Sequence, residues 1–166
     1  YYAALKAGAV VVATNPLYTP PEIEHQVNDA GIEVMMVMSN FYNTIKAVQP
    51  RTKIKTIIVT NLKETLSPLL RMLFTLAKEK KGGFRIDNLA EGDIWMKDLL
   101  ATHKPSDRPK IEVKPDDDAL FQYSGGTTGI SKGAIASHKN LIADTLQIKG
   151  WMTELEEGKE TVLMAI

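Results

Sequence analysis

A short run in the last third of the chain has the residue types that bind phosphate. Residues 124–133 contain four glycines, two threonines, two serines and one lysine. Glycines let backbone N–H groups approach an anion closely and adopt positive φ. The hydroxyl groups of Ser124, Thr127 and Thr128 are able to donate to phosphate oxygens or ligate Mg²⁺, and Lys132 adds a mobile positive charge. The composition indicates a phosphate-binding loop, with a ligand-free hairpin loop as the competing interpretation.

Two better-known phosphate motifs do not fit this run. The Walker A pattern is G-x-x-x-x-G-K-[ST]. Counted from Gly126, it meets Ser131 in place of its second glycine and Gly133 in place of its final Ser or Thr. The dinucleotide fingerprint G-x-G-x-x-G also fails, because Gly125 and Gly126 are adjacent and no glycine has the required spacing. A phosphate-binding loop with this sequence would therefore belong to another class, and the ligand-free hairpin stays open.

The segments around the loop must hold it on a rigid scaffold. Residues 118–123, D-A-L-F-Q-Y, are predicted to form a strand that enters the loop, and residues 134–137, A-I-A-S, a short strand that leaves it. Helical periodicity follows from His138 to Lys149 and ends at Gly150. A loop between two strands is a common way to position binding groups.

The first sixty residues alternate between apolar runs and helical patterns. Residues 9–13, 32–38 and 55–60 are predicted strands, the first typical of a strand buried on both faces and the second of a buried strand. Helices are predicted over 19–31 and 41–48, the first with a T-x-x-E capping box and Gly31 at its end. We therefore expect an α/β fold, layered, with a mostly parallel sheet and flanking helices.

Residues 64–81 have apolar side chains at helical spacing and a basic end. The main interpretation is an amphipathic helix packed on the sheet. The alternative is a helix that faces a membrane surface or an acyl chain, because bulky apolar residues lie beside Lys78, Lys80 and Lys81. A further short helix is predicted over 93–101, and residues 102–118 are predicted to form a surface connection.

Composition excludes several classes of protein. The chain has 166 residues, of which 44% are hydrophobic and 24% charged, as expected of a soluble globular protein. A formal net charge of zero removes the simplest case for nucleic-acid binding. With no cysteine there is no disulfide framework or thiolate metal site, and His25, His103 and His138 have no metal-ligand spacing. No apolar run approaches the roughly 20 residues of a membrane span.

Residues 123–133, Y-S-G-G-T-T-G-I-S-K-G, resemble the signature of the adenylate-forming superfamily, Y-[TS]-[SG]-G-T-T-G-x-[PS]-K-G. That superfamily includes acyl-CoA synthetases, luciferases and peptide-synthetase adenylation domains. Gly125 replaces the commoner serine and Ser131 the commoner proline. The G-G-T-T-G form followed by S-K-G-A is most similar to long-chain fatty-acid–CoA ligases. Residues 137–141 and 4–31 resemble flanking blocks of those enzymes, whereas the likeness is weaker over 62–116.

The resemblance implies a reaction in two steps. A fatty acid carboxylate attacks the α-phosphate of ATP to give acyl-adenylate and pyrophosphate, and the thiol of coenzyme A then displaces AMP. Lys132 would steady the phosphates, and Ser124 or Thr128 would touch Mg²⁺. His138 is either a helix cap or a functional residue. The residues implied to cradle the β- and γ-phosphates are Ser124, Gly125, Gly126, Thr127, Thr128 and Gly129.

The resemblance also implies that the chain is part of a larger enzyme. Residues 1–8 have the pattern of the last turns of a helix and the final residues that of a strand, so we expect both ends to be truncated. Residues 1–166 would form a single incomplete AMP-binding N-terminal domain without the C-terminal domain. No catalytic residue is expected within it, since Lys132 is not the adenylation lysine, and the chain alone is expected to be inactive.

Three alternatives to a fatty-acid ligase stay open at this stage. The first is another adenylate-forming ligase, acting on a short or aromatic acid or on an amino acid. The second is a non-catalytic nucleotide-binding module, and the third is a peripheral membrane module that depends on residues 66–81. The expected small-molecule partners are ATP, Mg²⁺, the fatty acid and coenzyme A, with no nucleic acid. The full-length enzyme is expected to be cytoplasmic, with membrane association as the alternative location. A homodimer is an open alternative for its oligomeric state.

Overall fold

The computed structural model describes residues 1–124, 131–154, 156, 158 and 159. Contacts divide the chain into two compact units. The first unit comprises residues 1–11, 111–122 and 134–166, and the second comprises residues 12–110 and 123–133.

The described residues contain six strands and six α-helices. The strands are β1 Val11–Val12, β2 Val34–Met38, β3 Thr56–Thr60, β4 Ile94–Trp95, β5 Asp118–Tyr123 and β6 Gly133–Ser137. The helices are α1 Tyr2–Lys6, α2 Pro20–Ala30, α3 Tyr42–Val48, α4 Pro68–Phe74, α5 Met96–Thr102 and α6 His138–Trp151. The strands form two three-stranded sheets, in the orders β1-β5-β6 and β2-β3-β4.

The β2-β3-β4 sheet is parallel, as predicted. Strand β2 pairs with β3 from Val34 opposite Thr56 to Met38 opposite Thr60, and β3 pairs with β4 through Ile58 opposite Ile94. Parallel strands need a crossover connection, and α3 lies in sequence between β2 and β3. The predicted mixed α/β class with flanking helices is therefore confirmed.

Helix α2 begins and ends where local chemistry predicts. The Glu22 carboxylate accepts hydrogen bonds from the Thr19 hydroxyl at 2.6 Å and from the Thr19 backbone N–H at 2.7 Å. These bonds hold the pKa of Glu22 below its usual value. Gly31 ends the helix in the left-handed region with φ of 65°, and the N–H of Ile32 donates to the Val27 carbonyl.

The core of the second unit lies where α2 and α3 meet one face of the β2-β3-β4 sheet. Its buried residues are Ile23, Val27, Met35, Val37, Tyr42, Ile45, Val48, Ile54, Ile57 and Val59. Burial alternates along β2, because Met35 and Val37 face the core whereas Val34 and Met36 are 58% and 56% exposed. The predicted buried strand over residues 32–38 therefore forms as Val34–Met38, but only one of its faces is buried.

The first predicted strand also differs from its expectation. It is a two-residue strand, Val11–Val12, whose side chains are half-buried, and Val10 is exposed. Burial on both faces is therefore wrong for this segment. The predicted strands over 55–60 and 118–123 form as β3 and β5.

The segment predicted as one amphipathic helix over residues 64–81 is divided. Helix α4 is followed by a π-helical turn, Thr75–Glu79. Phe74 is buried and packs edge-on against Phe84, with ring centroids 5.4 Å apart. Five other bulky apolar side chains are at least half exposed: Leu69, Leu70, Met72, Leu73 and Leu76. Burial of the whole apolar side against a sheet is therefore wrong.

The remaining predicted elements are close to those observed. Helix α5 begins at Met96 because Ile94 and Trp95 pair with β3, and α6 continues one residue beyond Gly150. Residues 102–118 are exposed throughout, as expected of a surface connection. In the part of the chain that the structure describes, no helix has both the length and the apolar character needed to cross a membrane.

Candidate functional site

The predicted phosphate loop follows β5 and leads into β6. Ser124 and Lys132, the first and last of its predicted ligands, are described by the structure, and both are exposed. The other predicted ligands lie outside the described residues: Gly125, Gly126, Thr127, Thr128 and Gly129. The described residues include both ends of the loop, which we call the loop base. The loop base consists of Tyr123, Ser124, Ser131, Lys132 and Gly133.

Two hydrogen bonds join the two sides of the loop base. The backbone N–H of Ser124 donates to the Lys132 carbonyl at 3.1 Å. The hydroxyl of Ser131 donates to the Ser124 carbonyl at 2.7 Å. Ser124 and Lys132 therefore lie side by side, although seven residues separate them in sequence. A hydroxyl and an ammonium group at one end of the loop suit an anionic ligand.

The ring of Tyr123 packs closely against Gly133. A β-carbon placed on Gly133 would lie 2.9 Å from both Cε2 and Cζ of that ring. Tyr123 is itself buried, at 7% exposed, so its ring has little room to move. Glycine at position 133 lets the Tyr123 ring approach the backbone closely. The sequence instead suggested that the glycines of this run let backbone N–H groups approach an anion.

Helix α2 contacts both sides of the loop base. The Tyr123 hydroxyl donates to Oδ2 of Asp29 at 2.5 Å. The Nε2 of His25 lies 3.1 Å from the Ser131 carbonyl oxygen, and since that oxygen only accepts, Nε2 carries the hydrogen. His25 and Asp29 are four residues apart, so they lie on one face of the helix. All of these residues belong to the second unit.

Sequence reasoning missed His25 and Asp29. Their contacts with the loop base span 106 and 94 residues, which no local pattern reveals. The available signal was weak. It consisted of two polar residues at i and i+4 spacing within the block that resembles acyl-CoA ligases.

The pH dependence of stability tests the environment of Tyr123. Burial, together with the hydrogen bond to Asp29, raises the pKa of the Tyr123 hydroxyl to about 12 from 10.0. The unfolded chain then loses this proton first, so the stabilisation is complete below about pH 10 and is lost as the pH rises to about 12. In urea titrations we expect the wild type to lose stability more steeply than Tyr123→Phe over that interval. Parallel curves for the two proteins would contradict this assignment.

The start of α6 tests one of the two alternatives for His138, that it caps the helix. Ser137 caps the helix, since its hydroxyl accepts from the Asn140 N–H at 3.3 Å and its own N–H donates to Asn140 Oδ1 at 2.9 Å. The backbone N–H of His138 donates to the Asp117 carbonyl. Ser137, not His138, is therefore the cap.

Metal-binding chemistry gives a separate test of the site. Among the described residues, no group of three or more His, Asp or Glu side chains could hold a metal ion. Ser124 supplies a single hydroxyl oxygen, whereas Mg²⁺ takes six oxygen ligands and keeps several waters.

Comparisons with known proteins identify the family of the chain. The family model of AMP-binding enzymes matches residues 1–166, so the chain belongs to the AMP-binding enzyme family, the adenylate-forming ligases.

Two bacterial relatives with the same name match almost the whole chain. The chain is 34% identical over 170 residues to the long-chain-fatty-acid–CoA ligase of Escherichia coli O157:H7, covering 99% of this chain and 30% of that protein. It is 32% identical over 164 residues to the enzyme of the same name from Bacillus subtilis strain 168, covering 98% of this chain and 29% of the relative. The chain therefore spans about 30% of the length of the E. coli relative.

A solved structure supports the fold. ATP-bound MatB from Rhodopseudomonas palustris superimposes with a TM-score of 0.64 at 23% identity, covering 91% of this chain and 24% of MatB. At this identity the similarity bears on the fold alone. The predicted resemblance to adenylate-forming enzymes is thus confirmed by family, relatives and fold.

Proposed function

We propose that this chain carries the ATP-phosphate site of an acid–thiol ligase that acts on long-chain fatty acids. The enzyme would join a fatty acid to AMP, release pyrophosphate, and transfer the acyl group to the thiol of coenzyme A. The observation that carries the proposal is the closed loop base, which brings Ser124 and Lys132 together at the ends of a glycine- and threonine-rich run. The 34% identity to a long-chain-fatty-acid–CoA ligase supports the substrate class.

The proposed roles follow from charge. ATP, the acyl-adenylate and pyrophosphate are all anionic, so the site must neutralise phosphate oxygens without reacting itself. The backbone N–H groups and hydroxyls of residues 124–129 would hold the β- and γ-phosphates. Lys132 would place a point charge beside the phosphates at the end of a flexible side chain. Its backbone carbonyl accepts a hydrogen bond from the Ser124 N–H. Mg²⁺ bound to ATP would neutralise further phosphate charge. The hydroxyl of Ser124 or Thr128 would be one of its ligands.

The test uses the natural full-length protein that contains these residues. We expect palmitate-dependent exchange between ATP and pyrophosphate, followed by palmitoyl-CoA formation when coenzyme A is added. Lys132→Ala should raise the KM for ATP about tenfold, because a charge-assisted contact is lost. Lys149→Ala is the matched control, since Lys149 is also an exposed lysine, and its KM for ATP should equal that of the wild type.

Three outcomes contradict the proposal in different ways. Binding of ATP without acid-dependent exchange would indicate a non-catalytic nucleotide-binding module. Exchange with benzoate or an amino acid but not with palmitate would indicate another adenylate-forming ligase. An unchanged KM for ATP in Lys132→Ala would remove the role given to that residue.

A further inference from the structure

We propose that α2 is the rigid support of the phosphate loop, and that His25 and Asp29 are its positioning residues. This inference rests on the proposed function, because it concerns how the same loop is held for ATP. Neither residue is placed in contact with a phosphate. Both act through the backbone and side chains of the loop base.

The first step concerns which atoms are held. The carbonyl that accepts from His25 belongs to the peptide unit that joins Ser131 to Lys132. A hydrogen bond to that oxygen limits rotation of the peptide plane from which the Lys132 stem departs. On the other side of the loop base, the bond from Tyr123 to Asp29 holds the residue that precedes Ser124. One helix face therefore orients both sides of the predicted ligand set.

The second step concerns the rigidity of the support. On the core side of α2, Ile23 is 5% exposed, Gln26 1% and Val27 0%. The Gln26 amide also donates to the Ala13 carbonyl at 3.0 Å. Side chains packed this tightly resist displacement, so the helix is fixed independently of the loop. Contacts between a fixed helix and the loop base preorganise the loop and lower the entropic cost of binding a phosphate chain.

The third step separates positioning from simple stabilisation. A residue that only stabilises the fold would change the amount of folded enzyme, which lowers the apparent kcat but leaves all three KM values unchanged. A residue that orients the loop should affect ATP and leave the fatty acid and coenzyme A unaffected. The donor on His25 is a single N–H, so a side chain with an N–H at the same reach should replace it. Glutamine has this reach, whereas asparagine is shorter and leucine has no donor.

The experiment measures KM for ATP, palmitate and coenzyme A in the natural full-length protein, together with its thermal midpoint. We expect His25→Leu and His25→Asn to raise the KM for ATP about five- to tenfold, the effect of losing one hydrogen bond, with the other two KM values unchanged. His25→Gln should stay within about twofold of the wild type. Asp29→Asn, which keeps an acceptor for Tyr123, should also stay close to the wild type, whereas Asp29→Leu should behave like His25→Leu.

Glu24→Gln is the matched control on the same helix. Glu24 pairs with Arg51 at 2.7 Å and is not part of the contact with the loop base, so its KM for ATP should not change. If His25→Leu fails to fold, the comparison of His25→Asn with His25→Gln keeps the test decisive. Equal KM values for ATP in those two variants would overturn the inference while leaving the proposed function intact. A wild-type protein with no ATP-dependent activity would instead overturn the proposed function.

Discussion

Replacing Asp93 with alanine is expected to lower the free energy of unfolding by about 2 to 6 kcal/mol, because two buried donors each lose their acceptor at a cost of about 1 to 3 kcal/mol. The Asp93 side chain is 1% exposed. Its Oδ2 accepts from the Tyr42 hydroxyl at 2.7 Å and lies 3.0 Å from the Lys46 ammonium group. Its Oδ1 accepts from the backbone N–H of Ile57 at 3.0 Å. Alanine would leave the buried Tyr42 hydroxyl and the Ile57 N–H without this acceptor, whereas Lys46 is 29% exposed and also donates to Gln49.

Urea denaturation of the wild type and the variant measures this loss. Asp87→Ala is the matched control, because Asp87 is also an aspartate in an ion pair, with Arg85 at 2.9 Å, but its side chain is 76% exposed. Exposed pairs contribute about 0 to 1 kcal/mol, so the control should be nearly neutral. Asp93→Asn should fall between the two, since the amide retains one acceptor oxygen. Similar losses for Asp93→Ala and Asp87→Ala would show that burial of the pair has no consequence.

Replacing Gly133 with alanine is the second large effect, with an expected loss of about 1 to 3 kcal/mol from overpacking. The added methyl group would lie 2.9 Å from two atoms of the Tyr123 ring. That ring cannot easily retreat, because it is buried and its hydroxyl is bonded to Asp29. Either the ring shifts and loses that bond or the strand β6 shifts at its first residue. Thermal unfolding monitored by circular dichroism measures the loss.

Gly150→Ala gives the opposite expectation with the same added methyl group. Gly150 lies within α6, and apart from its chain neighbours and the helix's own backbone no atom of the described residues lies within 4 Å of the position its β-carbon would take. Alanine should stabilise the helix there by about 0.5 to 1 kcal/mol through its higher helix propensity. Effects of the same sign at the two glycines would argue against a specific clash at Gly133.

Features set by neighbours in sequence could be predicted, and α2 shows why. The side chains of Thr19 and Glu22 satisfy the first turn of the helix, and Gly31 provides the left-handed residue that ends it. Each interaction lies within about four residues, so composition and spacing are enough to locate it. Strands β3 and β5 could likewise be predicted, because each is a short run whose residue types favour a strand.

Features that depend on tertiary packing could not be predicted. An apolar run over 32–38 predicts a strand, but which face is covered depends on where α2 and α3 pack. Periodicity in residues 64–81 predicts a helix, but neither the π-helical turn nor the exposure of Leu69 follows from it. The charged pair of Lys46 and Asp93 joins residues 47 positions apart in sequence. For the loop, the signature predicts the ligands, whereas the contacts of His25 and Asp29 with the loop base depend on tertiary packing.

The bond between the Ser124 amide and the Lys132 carbonyl also makes the loop base observable by itself. A backbone amide exchanges its hydrogen with solvent when its hydrogen bond opens, so the exchange rate of this one proton reports how often the two sides of the loop base separate. The proton belongs to the first of the proposed ATP ligands. A single resonance followed in deuterated buffer therefore gives the opening free energy of the site before any nucleotide is added.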